Sequence, residues 1–149
     1  MSAASNYTED RTLDFWLKNN SQSTTSPTTV FVALFTSDPS LGSTDENLEA
    51  GTISNECQGG GYERQTVTFG TISNGSVSNN ANVTFPTATN NSWGTITHVA
   101  VMDADGEFVD GDSAGSGNVL FYGRLTTARE ILQDDTFQIT SGSLTVTLA

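Results

Sequence analysis

From Thr29 to the end of the chain, apolar and polar residues alternate with a period of two, in short runs separated by clusters of Gly, Asn, Ser, Asp and Pro. "TVFVALFT" (29–36) puts Val30, Val32 and Leu34 on one face and Phe31, Ala33 and Phe35 on the other, which predicts a central strand buried on both sides. Further strand patterns lie in "YERQTVTFG" (62–70), "SVSNNANVTFP" (76–86), "TITHVAVMD" (95–103), "NVLFYGRLT" (118–126), "TFQIT" (136–140) and "SLTVTLA" (143–149). Short strands at this spacing predict an all-β domain, an antiparallel β-sandwich or jelly roll. Strands do not alternate with long helices, which argues against a doubly wound fold.

One segment has a different period. In "TEDRTLDFWLKN" (8–19), Leu13, Trp16 and Leu17 recur at i, i+3 and i+4, Thr8 can cap, and Glu9 and Asp10 suit the positive end of a helix dipole. The stripe fits a helix laid over the open end of the β-domain or one docked on a partner subunit. The first is preferred, because a short amphipathic helix seldom stands alone. "NNSQSTTSPTT" then serves as a connector. The expected organisation is an N-terminal arm with a short helix over 1–28 and a β-sandwich over 29–149, a single domain overall.

Between the first strand and the next lies a long loop, "SDPSLGSTDENLEAGTISNECQGGG" (37–61), and loops of this length usually bind something or are held by an assembly. Its three closing glycines could cradle a phosphate, but that chemistry needs Lys and Ser or Thr at the start of a helix. Here they lead into "YERQTVTFG", a strand pattern, so Gly59–Gly61 read as a hinge that permits positive φ and close backbone approach.

Charge narrows the function classes. Five Lys and Arg stand against 17 Asp and Glu in 149 residues, a formal net charge of −12, and a nucleic-acid backbone would be repelled. With 35% hydrophobic residues the chain is too apolar for a disordered acidic tail, so the charge describes a solvent-facing exterior. Cys57 is the one cysteine, so no intrachain disulfide or thiolate cluster can form. "MSAASNYTED" has no signal-peptide pattern, and Val30–Phe35, the longest apolar stretch, is too short to cross a bilayer. The expectation is a soluble protein made in a cytoplasm, with no membrane partner.

Candidate chemistry is sparse. His98, the one histidine, alternates with apolar neighbours and reads as a packing residue rather than a base, and no G-x-S-x-G is present. No catalytic residue and no cofactor is expected. The acidic run "DADGEFVDGD" offers Asp103, Asp105, Asp110 and Asp112 as weak calcium candidates, but Gly106 comes too early for an EF-hand and no closing glutamate follows, so an acidic hairpin tip is preferred.

Taken in order, "TTVFVALFTSDPS", "GGGYERQTVTF", "VTFPTATNNSWGTITHVAVMDADG", "VLFYGRLT" and "LTVTL" resemble a family of small structural proteins of tailed bacteriophages, often labelled tail-fibre or minor tail proteins. The resemblance runs from about Val30 to Leu148. It implies that Gly59–Gly61 with Tyr62 and Arg64, and Trp93, Gly94 and His98, are structural signatures. It implies a virion protein, assembled in the host bacterial cytoplasm and without enzymatic activity. The acidic run beyond Asp105 and the connector holding Cys57 look longer than in the compact family form.

The sequence lacks the heptads or other repeats of a fibre shaft. The favoured expectation is therefore a capsid decoration or cement protein bound to the major capsid protein. The alternative is a tail-associated knob, tail-fibre or minor tail protein for host attachment. A homo-oligomer, with a trimer favoured, suits either. Trp16, Asp38, Gly60, Tyr62, Arg64 and Asp103 are the expected partner contacts.

Overall fold

A computed structural model of the chain describes residues 2–18, 26–40, 55–106 and 117–148. The described elements are β1 (Ser2–Ala4), α1 (Asn6–Leu17), β2 (Val30–Phe35), β3 (Gln65–Val67), β4 (Ser76–Ser78), β5 (Val83–Thr87), β6 (Gly94–Met102), β7 (Val119–Ile131), β8 (Thr136–Ile139) and β9 (Thr145–Thr147). The strands form a five-stranded sheet in the order β1-β7-β6-β2-β3 and two pairs, β4-β9 and β5-β8, every pairing antiparallel. The result is an all-β antiparallel sandwich with one short helix near the N-terminus, as the periodicity predicts.

β2 lies between β6 and β3, with Leu34 opposite Val99 and Val32 opposite both Val101 and Gln65. Its alternation feeds two cores. Val32 and Leu34 join Ile96, Val99, Phe85, Phe137 and Ile139 between the sheet and the β5-β8 pair. Ala33 and Phe35 join Ala100, Met102 and Val119 in a smaller cluster on the opposite face. Phe85 is the hub of the larger core, within 5.8–6.5 Å (ring centroids) of Tyr62, Trp93 and Phe137. Truncating so buried an aromatic costs about 3–5 kcal/mol.

The stretch "SVSNNANVTFP" is two strands. β4 pairs with β9 and β5 with β8, and the chain changes partner at Asn79. That side chain is 2% exposed; its amide donates to the carbonyls of Ala81 and Thr140, and its Oδ1 accepts from the Leu144 N–H. An asparagine that satisfies three backbone groups fixes the switch where a period-two pattern shows none.

β7 is longer than its sequence pattern suggests, because it pairs twice. Its first half takes β1 on one side, with Ala3 opposite Tyr122. Along β6 the register breaks between Arg124, opposite His98, and Arg129, opposite Ile96. Leu125–Ala128 thus bulge out against the single residue Thr97, and the bulge bends the strand away from its partner.

The helix differs from the expected core role. It starts two residues earlier than predicted, and Ser5 rather than Thr8 is the cap, accepting from the Thr8 N–H at 3.3 Å. Ser5 also donates to the Val119 carbonyl, and the Thr8 hydroxyl donates to that of Leu120 at 2.9 Å, so the first turn is stitched to the edge of β7. None of the helix residues is buried. Leu13, Trp16 and Leu17 point to solvent, with Trp16 75% exposed. The helix is held by its polar first turn, which leaves its apolar stripe uncovered by the domain.

Candidate functional site

The loop that closes at Cys57 returns through Glu56, and a buried polar cluster forms there. Arg64, 5% exposed, donates from Nε to Glu56 Oε1 and from Nη2 to Oε2, both at 2.8 Å, a bidentate pair. The Tyr62 hydroxyl donates to Glu56 Oε1 at 3.0 Å and accepts from the Leu34 N–H at 2.9 Å. Burial opposes the charge on Arg64, but the hydrogen bonds and charge of Glu56 outweigh it and hold the guanidinium above its ordinary pKa. Burial, with the charge of Glu56 adding to it, pushes the Tyr62 hydroxyl well above the ordinary phenol value. Burial likewise pushes the neighbouring Cys57 thiol up to about 11. Neither the Cys57 thiol nor the Tyr62 hydroxyl is poised as a nucleophile near neutral pH.

The glycine triplet explains how the chain enters the cluster. A Cβ on Gly59 would stand 1.9 Å from Trp93 Cδ1, and one on Gly60 would stand 2.1 Å from the Thr89 carbonyl oxygen. Gly61 has φ +76°. The Gly60 carbonyl accepts from the Trp93 indole N–H at 3.0 Å and from the Thr89 N–H at 2.9 Å. The triplet is a hinge, with Gly59 pressed against Trp93 and Gly60 and Gly61 against Thr89 and Thr87. The strand it launches is short, β3 covering only Gln65–Val67, and Tyr62 and Arg64 precede it.

The expected contact residues fall into two groups. Tyr62 and Arg64 lie in the interior, and their polar atoms engage the chain itself, because a guanidinium beside a buried carboxylate is stable only when so satisfied. Arg64 also donates to the Ala104 carbonyl at 3.0 Å, and Gly106 packs so close that a Cβ there would be 2.9 Å from the guanidinium carbon. Asp103, half-buried, accepts from the Asn118 amide at 2.7 Å and so closes the base of the acidic loop. Asp38 accepts from the Ser40 N–H at 2.9 Å, and its carbonyl accepts from the Asn55 amide at 2.6 Å. Burial works against ionisation of Asp38, but the Ser40 hydrogen bonds, aided by His98 at 3.9 Å, hold its pKa below the ordinary value. Gly60, Tyr62, Arg64, Asp38 and Asp103 thus sit at the roots of the two long loops. Trp16 stands apart, on the exposed face of α1.

Of the calcium candidates, Asp105 is exposed, while Asp110 and Asp112 lie outside the described residues. Among the described residues no three His, Cys, Asp or Glu side chains converge as a metal site would require.

Two features escaped the sequence reading. Glu56 carries no local signal, since a carboxylate in a polar loop looks like any other. The second is a groove of about 500 Å³ where β7 parts from the layer formed by β8 and β9. Its floor includes Val99, Phe121, Leu125, Phe137, Ile139 and Val146, and Arg124 and Arg129 are in its lining. No helix among the described residues is long and apolar enough to cross a membrane.

Fold and site together define an antiparallel β-sandwich protein with a buried cluster in which Glu56, Tyr62 and Arg64 satisfy one another. A model of the family described as Podophage GP4 fiber I protein gp80 matches residues 3–147, and the chain belongs to that family. It is therefore a bacteriophage structural protein of the tail-fibre type. None of the curated proteins matches the chain.

Proposed function

We propose that the protein is a non-enzymatic, tail-associated subunit of the virion, a fibre or minor tail protein with a part in host attachment. The observation that carries this reading is the family match across 145 of the 149 residues (3–147), to a family described by the word fibre. That description favours the tail-associated alternative over the capsid decoration role expected first, which rested on the acidic exterior and the lack of shaft repeats.

The geometry is compatible with a compact module carried by a larger assembly. Glu56, Arg64, Asp103 and Asp38 tie down the described backbone next to 41–54 and 107–116, segments outside the described residues. Trp16 and its exposed neighbours on α1 supply an apolar contact for assembly into the virion. In this reading Trp16 is the contact residue, and the other five expected contacts act within the domain.

Quantitative mass spectrometry of purified virions, measuring copies relative to the major capsid protein, tests the proposal. A tail-associated subunit is expected at a few to about a few tens of copies per particle, in keeping with the symmetry of a tail. A ratio of about one to one or one to three with the capsid protein would overturn it and return the domain to the capsid lattice.

A further inference from the structure

The exposed face of α1 and the groove beside β7 are complementary. On the helix, Leu13, Trp16 and Leu17 are 53%, 75% and 76% exposed. Glu9 lies one turn before Leu13 at i−4 and Asp10 at i−3, so both carboxylates flank the apolar stripe. The two cations of this segment are engaged on the adjoining face: Lys18 pairs with Asp14 at 2.8 Å, and Arg11 stacks 4.4 Å over the Tyr7 ring. The outward face is therefore apolar with an anionic border.

The groove has the opposite character. Of the five cationic side chains of the chain, Arg11, Lys18 and Arg64 have the partners just described. The remaining two, Arg124 and Arg129, both line the groove, on either side of the bulge at Leu125–Ala128, and neither forms an ion pair among the described residues. In a chain of net charge −12, both remaining cations stand beside one groove, lined by Phe121 and Leu125 together with threonines and Gln138. A helix of 12 residues is about 18 Å long, or three turns, which lets one stripe of three large side chains lie along such a groove.

We propose that the occupant of the groove is α1 of a second copy of this chain. Leu13, Trp16 and Leu17 settle against the half-buried Phe121 and Leu125, while Glu9 and Asp10 face Arg124 and Arg129. Because a helix on one copy meets a groove on the next, the contact is heterologous, and it closes into a ring when the rotation at each step divides a full turn. The uncovered stripe of α1 supplies the apolar drive, and the charge pairs set the register and exclude other amphipathic helices that are basic. The contact does not depend on where in the virion the protein sits.

Sedimentation velocity and light scattering on the full chain at micromolar concentration test this proposal. The parent chain is expected to form a closed oligomer; Trp16→Asp, and separately Arg124→Glu with Arg129→Glu, are expected to run as folded monomers with unchanged circular dichroism. A mixture of these two variants retains one intact helix and one intact groove, and is expected to give a one-to-one complex that grows no further. Combining Glu9→Arg and Asp10→Arg with the two arginine reversals in one chain is expected to restore the oligomer. A monomeric parent chain, an oligomer indifferent to Trp16→Asp, or a mixture that stays monomeric would each overturn the proposal. Copy number in the virion reads the proposed tail placement separately, so the two can fail independently.

Discussion

Glu56 and Arg64 form a charge pair withdrawn almost wholly from water, and such a pair has an asymmetric energetic signature. Removing one partner leaves an uncompensated buried charge, so Arg64→Met is expected to lower unfolding stability by about 3–5 kcal/mol. Glu56→Gln in the Arg64→Met background is expected to recover part of that loss, because the remaining group is neutral. Denaturant melts of the two single variants and the double variant give the coupling directly. Only Arg64 was within reach of sequence reading: it stands in a motif, whereas nothing near Glu56 marks it, because the pairing spans a hinge.

Cys57 gives the residue scale its pH dependence. Its thiol is raised from near 9.0 to about 11 in the folded protein, chiefly by burial, so the unfolded chain loses its proton first as pH rises. Tyr62, also raised, acts in the same direction. Stability from these groups is fully present below about pH 9 and declines as pH rises toward 11 and beyond. Alkylation of Cys57 at pH 8 is expected to be slow in the native protein and fast in urea, measured by mass. Rapid native labelling would mean that the thiol is not enclosed as the fold places it.

At the scale of elements, the glycine hinge tests how strictly the loop return is defined. Gly60→Ala forces a Cβ against backbone at 2.1 Å, which no side-chain movement relieves, and is expected to cost at least about 1–3 kcal/mol. Gly70→Ala meets its nearest atoms at 3.7 Å and is expected to be close to neutral. Thermal melts of the two variants compare a glycine required by close approach with one whose added Cβ meets only ordinary contact. The hinge was legible because three glycines before a period-two run admit few other readings. The surface Gly59 presses on, Trp93, is 34 residues from it and was not. The helix was legible as a helix, but its placement was not, since amphipathicity states that a face wants cover and not what provides it.

For the whole molecule, charge is the dominant long-range term. A net charge of −12 repels itself in the compact state, and screening relieves that repulsion. The melting temperature is expected to rise by a few degrees between low salt and about 0.15 M salt, where the Debye length falls to about 8 Å. The Glu56–Arg64 pair, shielded from solvent, is little affected by the same ions. A fall in melting temperature with salt would mean that surface ion pairs, not net repulsion, govern stability.

What the sequence determined by itself was the all-β class, the central position of the Val30–Phe35 strand, the presence of one short helix, the hinge at Gly59–Gly61 and the family resemblance. Those properties follow from local rules: side-chain period, turn chemistry and the steric freedom of glycine act over a few residues and leave their mark in order along the chain. Only the tertiary structure decided the burial of Tyr62 and Arg64, the partner switch at Asn79, the exposed stripe of α1 and the groove flanked by Arg124 and Arg129. Each of these depends on which distant segments meet, and a pattern with period two states that a face is buried without naming what buries it.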